Sequence, residues 1–111
     1  MWAVIEDASA PVEEPYDVVE LYDTVHRLHL ERTGGEVDGR LVQLAWATAD
    51  GLREVAVWES REQYDRYGRE GIGPLVAEVL AGRPWPTVVV TPFDVRGLVV
   101  PAGGVALPAG R

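Results

Sequence analysis

Cysteine, lysine and asparagine are all missing from this 111-residue chain. Without cysteine there is no disulfide, no thiolate nucleophile and no thiolate ligand for a metal. All ten cationic residues are therefore arginine, set against 18 carboxylates for a net charge of −8. The arginines form no cluster, so neither nucleic acid nor an anionic membrane is an expected partner. The absence of lysine and asparagine reads as the coding bias of a G+C-rich genome, without functional weight. No apolar run approaches the ~20 residues of a membrane span, and residues 1–7 lack the basic and apolar regions of a secretory leader. A cytoplasmic protein is the expectation. Phosphate loops, dinucleotide glycine motifs and nucleophile motifs are also lacking, and there are only two histidines. His26 and His29, with Glu20 or Asp23, share helical spacing, a weak metal pattern. No metal, haem or flavin cofactor is expected.

What is present concentrates between Glu54 and Pro74. Val55, Ala56, Val57 and Trp58 form a β-favouring run, and Ser60 with Gln63 makes a capping box that opens a helix. Upstream, Asp50-Gly51 separates this strand from a second apolar run, the pattern of a two-residue hairpin turn. A type I′ turn there predicts Ala47 opposite Glu54, Ala45 opposite Ala56 and Gln43 opposite Trp58. One face of the hairpin then holds Val42, Leu44, Trp46, Val55 and Val57. The other combines small alanines with Gln43, Glu54 and Trp58, leaving room and hydrogen-bonding groups as a ligand cavity does.

Residues 2–5 read as a first strand and residues 8–15 as a loop. Pro15 suits the first turn of a helix running through residues 16–32, with Val18, Leu21, Tyr22, Val25 and Leu28 on its buried stripe and Gly34-Gly35 at its end. His29 sits at the edge of that stripe, and His26, one position off it, is expected to face solvent. The second helix spans residues 61–70, bends at Gly71-Ile72-Gly73-Pro74 and resumes through residues 75–80. Residues 87–91 form a last strand that extends past Pro92 toward residue 100. The tail, 101–111, is Gly-, Ala- and Pro-rich and is expected to be irregular, leaving one domain over residues 1–100.

The order β-α-β-β-α-β predicts an α+β, ferredoxin-like sandwich with both helices on one face of the sheet. Its other face would be a contiguous apolar surface, so a homodimer packed sheet to sheet is expected.

Val57-Trp58-Glu59-Ser60-Arg61-Glu62-Gln63-Tyr64, followed by Gly73-Pro74-Leu75, resembles the strand-to-helix junction of the dimeric α/β-barrel superfamily, in particular antibiotic biosynthesis monooxygenase-like proteins. The resemblance covers residues 2 to about 100 and implies a dimeric α/β barrel. It also implies that Trp58 and Tyr64 line a substrate pocket. Glu54 stands where cofactor-independent members carry an Asn, and the Asn, Trp and His of haem-degrading members have no counterparts. The resulting expectation is a cofactor-independent monooxygenase-like enzyme acting on a hydrophobic aromatic or polyketide-like small molecule. Glu54, His29, Trp58 and Tyr64 are its catalytic candidates, and Gln43, Tyr22, Tyr67, Ala45 and Ala56 its substrate-binding candidates. The alternatives are a polyketide cyclase or isomerase of the same fold, and a non-catalytic dimer that binds a small ligand.

Overall fold

The computed structural model describes residues 1–99. It has four strands, β1 (Trp2–Ser9), β2 (Arg40–Ala47), β3 (Gly51–Trp58) and β4 (Thr87–Asp94). Helix α1 (Val18–Thr33) joins β1 to β2. Between β3 and β4 run α2 (Arg61–Arg66), a π-helical turn (Tyr67–Ile72) and α3 (Gly73–Leu80). The sheet order is β2-β3-β1-β4 with every neighbouring pair antiparallel. This is the expected α+β, ferredoxin-like arrangement; the expected tail lies outside the described residues.

Local chemistry accounts for the helix ends. Asp17 caps α1, its carboxylate accepting from the N–H groups of Val19 and Glu20 at 3.0 and 3.1 Å, so the helix starts at Val18 and Pro15 stays in the preceding loop. Gly34 ends the helix in the left-handed region at φ 77°. Ser60 caps α2, accepting from the Gln63 N–H at 3.3 Å. The expected bend near Pro74 begins earlier, at Tyr67, as a π turn that keeps the helix continuous. Proline has no N–H to give the preceding turn, and the Gly73 N–H reaches back five residues to the Gly68 carbonyl.

β1 is longer than residues 2–5 and carries Glu6 into the sheet opposite Glu54. β4 ends at Asp94 and tolerates Pro92 because it is an edge strand. In the hairpin, Thr48 and Gly51 exchange backbone hydrogen bonds, so the turn residues are Ala49 and Asp50. A Cβ on Gly51 would collide with the Ala8 carbonyl of the adjacent strand, which holds glycine at the closing position. The register is therefore two residues off the expected one. Glu54 faces Ala45, Gln43 faces Ala56 and Leu44 faces Val55. A slip of two preserves every side chain's face, whereas a slip of one would have reversed them all.

The apolar interior forms two clusters. Val4, Ala56 and Trp58 gather on the sheet, with Trp2, Tyr64 and Tyr67 against them. Leu21, Val25 and Leu80 gather between the helices, with Ile72, Leu75 and Val76. Each large side chain buried this way contributes about 1.5–3 kcal/mol.

Candidate active site

Between those two clusters lies a cavity of about 220 Å³. Its floor is the helix-facing side of β1 and β3, where the alternation of side chains places Glu6, Ala8, Leu52, Glu54, Ala56 and Trp58. Helix α1 supplies Leu21, Tyr22, Val25 and His26, and the second helix supplies Tyr64, Tyr67, Gly68 and Ile72. Val18, Val76, Trp85, Pro86 and Val88 complete the lining. The π turn shapes this wall: a Cβ on Gly71 would lie 2.7 Å from the Tyr67 ring, so the absence of a side chain there lets Tyr67 sit back against the helix.

Two carboxylates face each other across the floor. Glu6 and Glu54 are direct partners in the β1–β3 ladder and point to the same face. Glu6 accepts a hydrogen bond from the Tyr64 hydroxyl. Burial, reinforced by the negative charge of Glu6 and partly offset by Arg40, pushes the Glu54 carboxyl up to about 8. Glu54 thus stands at the border of protonation near neutral pH, where a group can both give and take a proton. Burial also raises the Tyr22, Tyr64 and Tyr67 hydroxyls, which remain protonated donors.

A polar network stands behind the α1 wall. Arg40 reaches it because a register shift between Arg40 and Val42 sets Arg40 opposite Trp58. Its guanidinium donates to Gln43 Oε1 and, at 3.4 Å, to the Tyr67 hydroxyl. Arginine can only donate, so the Gln43 oxygen must face it and the amide nitrogen must face the other way. That nitrogen donates to the Tyr22 hydroxyl at 2.8 Å and lies 3.2 Å from His26 Nε2. His26 Nε2 is then an acceptor, and Nδ1 donates to the Tyr22 carbonyl at 2.9 Å. Neutral imidazole is the consistent state. Burial lowers the His26 pKa to about 4, the carbonyl hydrogen bond opposing it in part.

Of the nine residues the sequence singled out, Glu54, Trp58, Tyr64, Tyr22, Tyr67 and Ala56 line the cavity. Gln43 supports it from behind. Ala45 lies on edge strand β2, beyond the lining, because the cavity is centred over β3 and β1. His29 is buried but lies beyond Tyr67, edge-on to its ring at 5.7 Å, with its Nε2 3.4 Å from the Thr33 hydroxyl. It lines a separate, more open and polar depression with Thr33, Asp38, Gln63 and Arg66. His26, expected in solvent, instead lines the cavity, stacked on Tyr22 at 3.9 Å. The four-residue interval from Tyr22 to His26 carries that signal, since residues so spaced share a helix face. Glu6 lies beyond the expected end of β1 at residue 5 and so is absent from the expected site; the alternation Trp2, Val4, Glu6 contains it. Among the described residues, no three His, Asp or Glu side chains converge where they could hold a metal ion.

No protein-family model and no curated protein sequence matches this chain. Solved structures do. A candidate antibiotic biosynthesis monooxygenase from Deinococcus radiodurans aligns with a TM-score of 0.59 at 15% identity, over 93% of this chain and 100% of the other. Another from Nitrosomonas europaea gives 0.59 at 12% identity, over 87% and 100%. This chain has the antibiotic biosynthesis monooxygenase fold. SnoaB, a cofactor-independent oxygenase from Streptomyces nogalater, aligns at 0.50 with 14% identity, over 88% of this chain and 93% of its own. At such identities the likeness concerns the fold, and the chemistry has to be read from the cavity.

Proposed function

We propose that this protein is a cofactor-independent monooxygenase-like enzyme that binds a hydrophobic aromatic or polyketide-like molecule between sheet and helices, with Glu54 as the proton-transfer group. The observation that carries this reading is the Glu54 carboxyl, set in an aromatic-lined cavity opposite Glu6 and held at a pKa of about 8. The activity of SnoaB supports the oxygenase assignment by analogy of fold alone.

The ionised Glu54 takes a proton from an activated C–H of the substrate, one flanked by a carbonyl or an electron-rich ring. The carbanion transfers its electrons to dioxygen and forms a C–O bond, giving a peroxide anion that recovers the proton from Glu54. Loss of water from the hydroperoxide, using the second hydrogen on that carbon, leaves a carbonyl. One oxygen atom ends in the product and the other in water; no external reductant is consumed. Trp58, Tyr64 and Tyr67 hold the ring system, and the Gln43–Arg40 network fixes Tyr22 and Tyr67 in place. Since the base form of Glu54 is needed, kcat/KM is expected to rise with pH and level off above about 8.

A second reading is favoured by the Glu6–Glu54 pair. Two neighbouring carboxyls with one proton between them can deliver and remove protons in turn, which suits isomerisation or cyclisation without oxygen. Oxygen uptake with dithranol as a probe anthrone separates the two. An oxygenase consumes one O2 per turnover, and Glu54→Gln slows it by about 10² to 10⁴-fold, the usual contribution of a general base. Turnover of a probe under nitrogen would favour the second reading, and a wild-type rate in Glu54→Gln would remove Glu54 from the mechanism.

The proposal includes a homodimer. On the outer face of the sheet Leu44, Trp46, Val89 and Phe93 are exposed, Val42 and Val55 are half-buried, and Val57 is already buried by its own chain. A second copy covering this face is the simplest way to keep that surface from water.

A further inference from the structure

We propose that the ligand of this cavity is a hydrophobic aromatic amine, its ammonium group held between Glu6 and Glu54 against the rings of Trp58, Tyr64 and Tyr67. The inference rests on the reading above that the cavity is a small-molecule site, and it specifies the class of molecule.

Three observations carry it. Glu6 and Glu54 are directly opposed on one face, so two carboxyls stand side by side on the floor of a cavity whose other lining is mostly apolar and aromatic. Glu54 makes no hydrogen bond or ion pair with any described residue, although Glu6 has the Tyr64 hydroxyl. The rings beside them are packed in series, Trp58 lying 5.7 Å from Tyr64 and 5.5 Å from Tyr67 between centroids. Carboxylates beside aromatic rings are the chemistry that recognises an ammonium ion, through ion pairing and the negative ring faces. The Trp58 indole N–H adds a further requirement. It belongs to a fully buried side chain on the cavity wall and has no hydrogen-bond partner among the described residues. An oxygen acceptor elsewhere on the ligand would satisfy it.

The charged and titratable groups around Glu54 leave the place of a cation open. Glu6 faces it from β1, Tyr22 and His26 from α1, Tyr64 from α2 and Tyr67 from the π turn. His26 is neutral. Arg40, from β2, is the only permanent cation among the described residues that acts on Glu54; it lies outside the lining and is engaged by Gln43 and Tyr67. An ammonium between the two carboxyls would favour ionised Glu54, so an amine should displace the Glu54 proton on binding. An anion would have to enter against Glu6.

Calorimetry with 1-naphthylmethylamine, 1-naphthylmethanol and 1-naphthoate tests this with one ring system and three charges. The amine is expected to bind at least tenfold more tightly than the alcohol at pH 8, and the carboxylate more weakly than either. At pH 7, titrations in buffers of different ionisation enthalpy should show proton release approaching one per amine bound. Glu6→Gln and Glu54→Gln should each erase most of the amine's advantage while leaving the alcohol's affinity within about threefold. An alcohol that binds as tightly as the amine, or amine binding without proton release, overturns the inference and leaves the cavity as a small-molecule site. Failure of all three probes to bind overturns that site reading as well.

Discussion

On the outer face of the sheet, leucine, tryptophan, valine and phenylalanine side chains are exposed to water; on the inner face, two half-buried glutamates face each other, and burial holds one of them, Glu54, toward its protonated form. Each face holds residues unsuited to its surroundings, and the remedies differ in kind. Apolar surface needs only to be covered, since the hydrophobic effect is non-directional and scales with area. Withdrawn carboxyls need a proton or a partner at a definite place. In the function proposed above, the outer face is the surface for association and the inner face the place of the chemistry.

The contrast is broken most forcefully on the outer side. Leu44→Asp puts a carboxylate into each half of the proposed symmetric interface, and the loss of two partly exposed leucines, at about 1 kcal/mol or more apiece, should weaken the dimer by about a hundredfold. Light scattering across a dilution series reads this directly. A Leu44→Asp protein with the wild-type mass at every concentration would place the interface elsewhere.

The next effect comes from the inner side and concerns stability against pH. The folded chain keeps a proton on Glu54 up to about pH 8 that the unfolded chain releases near 4.5, so this group's stabilisation is lost as pH rises through that interval. His26 acts oppositely. Its folded pKa of about 4 lies below the ordinary 6.5, so stability is lost as pH falls through that range. The two trends offset each other between about 4.5 and 6.5 and leave Glu54 alone above it. At about 1.4 kcal/mol per unit, urea unfolding should show a decrease of at most ~2 kcal/mol from pH 6.5 to 8, less where cavity water solvates the carboxylate. Glu54→Gln should flatten that decline, and an unchanged decline would assign it to another group.

A smaller effect is expected at the π turn. Gly71→Ala gains helix propensity worth up to ~1 kcal/mol but presses on the Tyr67 ring. Stability should change little while affinity for an aromatic ligand falls by less than about tenfold. An unchanged affinity would mean that the Tyr67 position is not critical to binding.

The fold was legible because its signals are local: the Ser60–Gln63 cap, the Gly34 stop and the hairpin all act within a few residues. The two hairpin faces were legible for a stronger reason, since only the parity of the register decides them, and the two-residue slip around Ala49-Asp50 left parity untouched. Arg40 was not legible, because the register shift before Val42 has no clear residue signature. The Glu6–Glu54 pair depends on where β1 stops and on which strand lies beside β3, a non-local choice that composition and periodicity do not contain. His26 was misplaced by one position on the helical wheel, and a single position is 100° of rotation.

The central claim is that Glu54 is a withdrawn carboxyl tuned by Glu6. Its ionisation can be followed by NMR with 13C-labelled glutamate side chains, the Glu54 carboxyl resonance being assigned by its absence in Glu54→Gln. A midpoint near 8 is expected in the wild-type protein, moving toward lower pH in Glu6→Gln as the like charge is removed. A midpoint near 4.5 in the folded protein, unmoved by Glu6→Gln, would contradict the account.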